Sequence, residues 1–383
     1  MKKLGIILLM SFLIFGCTNT KEKKESSNKE DEKVVVEEDK RVSFVAVGDN
    51  LIHGGIYYDA AQRNGGVYDF NSMYENTNYI TQEADIAFIN QETILGGVEL
   101  GLSSYPTFNS PSEVSEAVVN AGFDWINHAS NHTLDRGEKG IINALNTWDK
   151  YQDVVVTGIA RSEEERNAIK IIERNGIKFG LLSYTYGTNG IPIPEGKEYL
   201  VNLIDKEQII KDVRRLKNEC DVMIVNMHWG DEYSNTPNNQ QKELAQLLAD
   251  EGVMVIIGEH PHVIQPMDWV IGKNGNKTLV MYSLGNFLSA QDRTERMLGG
   301  MVTWDILKDG KTKEYKIENV EFLPTVTHIN KGVRNYKTYV LKDYTDDLAK
   351  IHRLNGVDGN VVSRQFFIDY VNNVMGDQFK IVY

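Results

Sequence analysis

Eleven consecutive residues, Asn127-His128-Ala129-Ser130-Asn131-His132-Thr133-Leu134-Asp135-Arg136-Gly137, gather two imidazoles, a carboxylate, a guanidinium and two amides. The apolar run Phe123-Asp124-Trp125-Ile126 leads into them, and a helical pattern follows. The loop therefore belongs at the carboxyl end of a strand, the edge where α/β proteins collect ligands. Four more apolar runs end on residues of the same chemical kind: Asp49 with His53, Glu92 after Asn90, His228, and His260-Pro261-His262. Six of the eight histidines fall in these five loops, with His328 and His352 outside them. If the strands share a sheet, all five loops open at one edge.

Together Asp49, Glu92, Asn131, His228, His260 and His262 have the donor chemistry of a divalent-metal centre of one or two ions. Cations such as manganese, zinc or iron accept carboxylate, imidazole and amide oxygen, and a carboxylate can bridge two of them. Two such ions clamp a phosphoryl or similar tetrahedral centre. His260 and His262 straddle a proline, so an extended turn can send one imidazole to each ion. His132, beside Asn131, is then expected to act on substrate as general acid or oxyanion partner, with Asp135 fixing its tautomer. Arg136 suits a phosphate or carboxylate of the substrate.

Each residue also has an ordinary reading. His228 can be a hydrogen-bonded loop residue, Asp49 a cap, Asn131 a turn residue and Glu92 a solvated carboxylate. His53 is open as ligand, substrate contact or loop residue, and is taken as a substrate contact. His128 reads as core, and Asp292, Arg293 and Arg296 read as a solvated loop. What favours the metal reading is the recurrence of ligand types at strand ends. A serine-hydrolase reading of Gly48-Asp49-Asn50 fails, because Asn50 stands where the nucleophile belongs.

The elements that must position these loops are legible as alternating strands and helices. Residues 42–47, 84–89, 123–126, 154–158, 221–227 and 253–257 read as strands. Residues 169–173 and 177–184 flank Asn175-Gly176 as a hairpin. Helices are expected over 72–83, from Pro111-Ser112-Glu113 onward, and over 140–148, 209–216 and 241–249. From Val263 to about Leu341 the chain reads as strands with turns at Asn274-Gly275 and Asp309-Gly310, and helices over 344–354 and 363–374 close it. The order βαβα followed by a β-rich half predicts an α/β fold. With no internal repeat, residues 42–383 form one expected catalytic domain.

The amino terminus points to a surface location. Met1-Lys2-Lys3 is basic, residues 4–15 are apolar but short for a bilayer span, and Cys17 follows Gly16. This resembles a bacterial lipoprotein signal, with residues 1–16 removed and lipid on Cys17. A plain signal peptide or a short anchor is the other reading. Residues 17–41 are rich in mixed charge and poor in apolar side chains, which suits a disordered tether. Cys220, the only other cysteine, reads as inert core. The net charge of −13 supplies no basic footprint for nucleic acid and repels anionic lipid and polyanions, so any anion must be bound locally, most simply through metal.

The blocks Val47-Gly48-Asp49, Asn90-Gln91-Glu92-Thr93, Ser130 to Gly137, His228-Trp229-Gly230-Asp231-Glu232-Tyr233, Gly258-Glu259-His260-Pro261-His262-Val263-Ile264-Gln265 and Tyr282-Ser283-Leu284-Gly285-Asn286-Phe287 resemble the signatures of the poly-γ-glutamate capsule synthesis family, CapA/PgsA. They run in order from about residue 42 to 287. The resemblance implies a four-layer α/β sandwich of the metallophosphatase-like (calcineurin-like phosphoesterase) kind. It implies one ion on Asp49 and His262, a second on Asn131, His228 and His260, Glu92 bridging, and His132 in the catalytic place. Asn90 and Asn286, inside two of the blocks, are expected to contact substrate. The phosphoesterase pattern opens with Asp-x-His, whereas Leu51 stands here, so one ion or two remain open.

The function expected is that of a lipid-anchored, extracytoplasmic protein in synthesis, export or anchoring of poly-γ-glutamate. It would act as a metal-dependent hydrolase or transferase on that polymer or on another phosphate-bearing envelope substrate, alongside membrane proteins of a capsule synthase. The alternatives are a non-catalytic accessory lipoprotein that binds the polymer and a secreted general metallophosphoesterase.

Overall fold

The computed structural model describes residues 37–383. The expected signal peptide, Cys17 and all but the end of the tether lie outside the described residues. The first half of the fold alternates as expected: β1 (Lys40–Asn50), α1 (Gly54–Arg63), α2 (Asn71–Tyr74), α3 (Asn78–Thr81), β2 (Ile86–Asn90), α4 (Val114–Asn120), β3 (Trp125–Asn127), α5 (Gly137–Trp148), β4 (Val155–Thr157) and α6 (Glu163–Asn167). Next come β5 (Lys170–Arg174), β6 (Ile177–Thr185), α7 (Lys206–Leu216), β7 (Val222–His228), α8 (Asn239–Glu251) and β8 (Val255–Glu259). The β-rich part holds β9 (Ile264–Ile271), β10 (Lys277–Leu284), β11 (Asn286–Leu288), β12 (Leu298–Lys308), β13 (Tyr315–His328) and β14 (Lys337–Val340). It ends with α9 (Asp346–Ile351), α10 (Arg364–Met375) and β15 (Lys380–Ile381).

Two mixed sheets result. One runs β14-β13-β12-β1-β2-β3-β4, with β11 on β1 and β15 on β13; the other runs β5-β6-β7-β8-β10-β9. The sequence leaves all five polar loops on one sheet edge if the strands share a sheet. Instead β1, β2 and β3 belong to the first sheet, β7 and β8 to the second. The sheets face each other: Phe44 of β1 meets Phe179 of β6 edge-on, ring centroids 4.9 Å apart, and stacks on Trp304 of β12 at 5.1 Å. Tyr184, Met223, Val225 and Ile256 point the other way and form a second core with Ile209 and Val213 of α7 and Leu244 and Leu248 of α8. Alternation along each strand thus divides its side chains between the inter-sheet core and the helix layer. On the first sheet, Val114 and Val118 of α4 and Ile141 and Leu145 of α5 join its core. Helix, sheet, sheet and helix give four layers.

The structure departs from the sequence reading at two helices. The helix expected over 72–83 is two single turns, α2 and α3. The Thr77 hydroxyl donates to the Tyr74 carbonyl at 2.9 Å, and Asn76 bridges to Tyr339, so tertiary contacts override propensity. The helix expected over 344–354 is trimmed to α9, with Thr345 accepting from the Leu348 amide as its cap. Helix α1 goes unread in the sequence because Gly54 and Gly55 open it. Among the described residues no helix is long and apolar enough to cross a membrane.

Two glycines bring the site loops together. A Cβ on Gly48 would lie 1.8 Å from the Gly285 carbonyl oxygen, which accepts the Asp49 amide at 2.8 Å. A Cβ on Gly258 would lie 2.1 Å from the Tyr282 carbonyl oxygen. Only the absence of a side chain lets these strand ends approach so closely.

Candidate metal centre

The carboxyl ends of β1, β2, β7 and β8 converge between the sheets. Asp49 ends β1, His228 ends β7 and Glu259 ends β8, while Glu92, Asn131, His260 and His262 follow β2, β3 and β8; all seven are buried. Two groups of donors form there: Asp49, Glu92 and His262, and Glu92, His228 and His260. Within each group the donor atoms lie within 4.8 Å of one another, and Glu92 belongs to both. A third group joins exposed Glu232 to His260 and His262. Glu232 and Glu259 lie inside the quoted sequence blocks but were not singled out.

A relay of amides holds the first group. Asn127 Nδ2 donates to Asn90 Oδ1 at 2.7 Å, and Asn90 Nδ2 donates to Asp49 Oδ1 at 2.7 Å. Asp49 Oδ2 lies 3.0 Å from His262 Nδ1, and Asn286 Oδ1 lies 3.1 Å from the same nitrogen. Two acceptors on Nδ1 place the proton there and leave Nε2 for Glu92, whose Oε1 is 3.6 Å away. Burial lowers the His262 pKa, but Glu92 and Asp49 together raise it to about 9.

In the second group Asn131 Nδ2 donates to Asn189 Oδ1 at 3.2 Å, which turns Asn131 Oδ1 toward His228 Nε2, 2.9 Å away. The His228 and His260 rings are 4.9 Å apart, and the Tyr186 ring lies 4.6 Å from His260. Burial and the neighbouring imidazoles hold His228 and His260 well below the ordinary histidine range, so both stay neutral and able to donate lone pairs. His260 (φ 99°), His262 (φ 58°) and Tyr233 (φ 65°) are non-glycine residues in the left-handed region. Such backbone clusters where function holds it in place.

The donor set fits a divalent cation by its unmet polar atoms. Both Glu92 oxygens and His260 Nδ1 are buried without a hydrogen-bond partner. Burial keeps the Glu92 carboxyl well above the usual range, with His262 opposing and Asp49 reinforcing. Glu259 is a third buried acid. Neither of its oxygens makes a hydrogen bond by geometry, yet burial and then the charge of Asp49 hold it well above the usual range. It occupies the strand position two beyond Ile257 and four beyond Val255, both inter-sheet core residues, and so lies on that face beside Asp49.

The remaining expected residues are placed as follows. His132 Nδ1 lies 2.7 Å from Asp135 Oδ2, which also accepts the Phe108 amide at 2.6 Å, and Phe108 packs edge-on against the imidazole at 4.7 Å. His53 Nδ1 lies 3.2 Å from the Ala290 amide, and its ring packs on Phe108 at 5.2 Å. The Arg136 guanidinium is engaged by the Asp135 carbonyl at 2.8 Å, the Thr107 carbonyl at 3.1 Å and the Ser103 hydroxyl. Asn286 Nδ2 donates to the carbonyls of His262 and Arg296 at 3.2 and 3.0 Å. The four residues expected to contact substrate, His53, Asn90, Arg136 and Asn286, are thus all held by protein groups. Arg296 lies over the Tyr233 ring, 3.6 Å from its centroid, and that ring lies 6.1 Å from His262.

His128 is buried and its Nε2 accepts the Trp148 indole N–H at 2.7 Å. Burial lowers its pKa to about 3, and burial lowers that of His352 to about 4. Both folded values lie below the unfolded value near 6.5. Their contribution to stability is therefore complete above pH 6.5 and is lost as pH falls toward 4 and then 3. At roughly 1.4 kcal/mol per unit, His128 accounts for about 5 kcal/mol at most and His352 for about 3 kcal/mol at most. Urea midpoints are expected to fall steadily from pH 7 to pH 4.5, and less steeply in a His128→Gln/His352→Gln variant. A flat profile in the natural chain would contradict this.

These features define a class: a two-sheet α/β protein with a buried histidine–carboxylate centre at its strand ends. Residues 43–291, more than half of the chain, match the model of the bacterial capsule synthesis protein family PGA_cap. The chain belongs to that family. It is 28% identical to the PGA biosynthesis protein CapA of Bacillus subtilis (strain 168) over 238 residues, which covers 61% of this chain and 60% of the relative. It is 29% identical to the capsule biosynthesis protein CapA of Bacillus anthracis over 206 residues, covering 53% of this chain and 49% of the relative. The matches thus span about half to three-fifths of these relatives. Among solved structures, a putative 5'-nucleotidase from Staphylococcus aureus is similar at a TM-score of 0.46 and 16% identity, over 74% of this chain and 54% of that one. A phosphatase from Mycoplasma pneumoniae is similar at a TM-score of 0.46 and 15% identity, over 75% and 94%.

Proposed function

We propose that this chain is a lipid-anchored, extracytoplasmic capsule-synthesis protein that acts on poly-γ-glutamate, or on another phosphate-bearing envelope substrate, at a divalent-metal centre. The observation that carries the reading is Glu92. It is shared by two donor groups, and both its oxygens are buried with no hydrogen-bond partner. A buried carboxylate whose oxygens accept no hydrogen bond destabilises the fold, a cost that a bound cation removes. The capsule-polymer direction is supported by the family and by the names of the Bacillus relatives. The surface location is supported by the Gly16-Cys17 pattern.

Asp49, Glu92 and His262 would hold one ion, and Asn131, His228 and His260 with Glu92 the other. Such ions supply charge neutralisation and Lewis-acid polarisation of a phosphoryl or acyl oxygen. The chain's own residues supply the rest. Asp135 holds the His132 proton on Nδ1, which leaves Nε2 as the atom that gives or takes a proton. Phe108 fixes the plane of that ring, and Tyr186 covers His260 from the side.

Elemental analysis of the purified chain after exposure to manganese or zinc tests the centre. One or two ions per chain are expected. Metal-free protein that still binds poly-γ-glutamate would overturn the catalytic reading in favour of a polymer-binding one.

A further inference from the structure

A cavity of about 720 Å³ opens at the end of the sheets opposite the metal centre. Val222 and Met223 at the start of β7, Val253 and Met254 before β8, and Trp269 of β9 line it from one sheet; Tyr315 and Ile317 of β13 line it from the other. Lys217, Lys277 and Lys316 also line it, and among the described residues none of the three is in an ion pair. Two acids, Asp221 and Glu318, share the lining, and Asp221 also accepts the Lys178 backbone amide at 2.8 Å. A chain of net charge −13 thus places three lysines outside any ion pair around one pocket of mixed polar and apolar lining. Lysines placed this way recognise an anion, while the aromatic and thioether lining needs an apolar part of the same ligand. A bare polyglutamate strand meets the first need and leaves the second unmet.

Position narrows the source. β1 begins at Lys40, whose register partner on β12 is Lys308, and Lys308 is in turn paired with Tyr315 on the cavity wall. The cavity therefore lies at the end where the fold begins. In the anchored protein proposed above, on which this step rests, the chain enters the domain at that end, within the tether's reach of the bilayer. We propose that the cavity takes the phosphate and first acyl carbons of an anionic membrane phospholipid, with Lys217, Lys277 and Lys316 on the phosphate and Met223, Met254 and Trp269 on the chain. Bound this way, lipid fixes which end of the domain faces the membrane and directs the metal centre away from it.

Calorimetric titration of the full chain with monomeric dihexanoyl-phosphatidylglycerol tests the proposal. Saturable binding of one lipid per chain is expected, at least tenfold tighter than for dihexanoyl-phosphatidylcholine or glycerol phosphate. Each Lys→Gln change at 217, 277 or 316 weakens it about fivefold, and the triple change about a hundredfold. Trp269→Ala weakens the lipid and spares glycerol phosphate. Unchanged urea midpoints in these variants show that they fold, and because neither that readout nor lipid binding uses metal, failure here is distinct from failure of the metal centre. Equal affinity for phosphatidylcholine, glycerol phosphate as tight as the lipid, displacement by a glutamate oligomer at equal concentration, or no binding would each overturn it.

Discussion

Glu92→Leu abolishes the stabilisation that divalent metal gives this protein and raises the melting temperature of the metal-free chain. The two effects have opposite signs because, on the function proposed above, Glu92 serves the ion and not the fold. It is buried, both oxygens lack partners, and it is the donor common to both groups. Removing a shared ligand weakens both sites, by more than the roughly 10–100-fold that loss of an outer-shell partner costs. In the metal-free chain burial keeps the Glu92 carboxyl well above the usual range and neither oxygen accepts a hydrogen bond, so an apolar side chain of similar size removes a cost of about 1–3 kcal/mol. For a domain of this size that is several degrees, at roughly 2–4 °C per kcal/mol. Thermal scans with manganese and with chelator give the answer. The natural chain shifts upward with metal, whereas the variant starts higher and does not move. A variant that starts lower and keeps the metal shift would refute the assignment.

His132→Ala lowers kcat toward a phosphomonoester or polyglutamate substrate by about 10²- to 10⁴-fold, the usual worth of a positioned general acid or base. Metal content stays the same, since His132 belongs to neither donor group. Asp135→Asn costs activity as well, because the 2.7 Å contact to Nδ1 selects the tautomer. Asp135 also accepts the Phe108 amide, so part of that loss comes from a displaced loop. Comparing KM with kcat separates the two, since a tautomer effect falls on kcat. Loss of metal in His132→Ala would reassign it as a ligand.

The positions that converge were legible because each ends an apolar run on a ligand-type residue: Asp49, Glu92, Asn131, His228, His260 and His262. Which strands carry them together was not. Pairing β1 with β12 joins residues more than 250 positions apart, and local patterns hold no record of such contacts. The division of the loops between two sheets has the same origin. Glu259 was missed for a different reason. The strand was read over residues 253–257, with Gly258-Glu259-His260 as its polar end, and only the histidines there were given a role. The alternation Val255-Ile257-Glu259, carried one step further, places it on the inter-sheet face. The amide relay through Asn127 and Asn90 left no periodic signal, and Asn90 alone suggested a substrate contact. Arg136 and Asn286 were read in the same way, because a sequence shows a polar group without showing what already engages it.

Two carboxylates without hydrogen-bond partners, Glu92 and Glu259, crowd Asp49 at the top of the inter-sheet core. Anything that binds the folded chain and not the unfolded one raises its folded population by mass action. In the metal-bound protein proposed above, metal supply would therefore set the folded share of the chain. In scarcity a larger share of the chains would be transiently open and exposed to proteases.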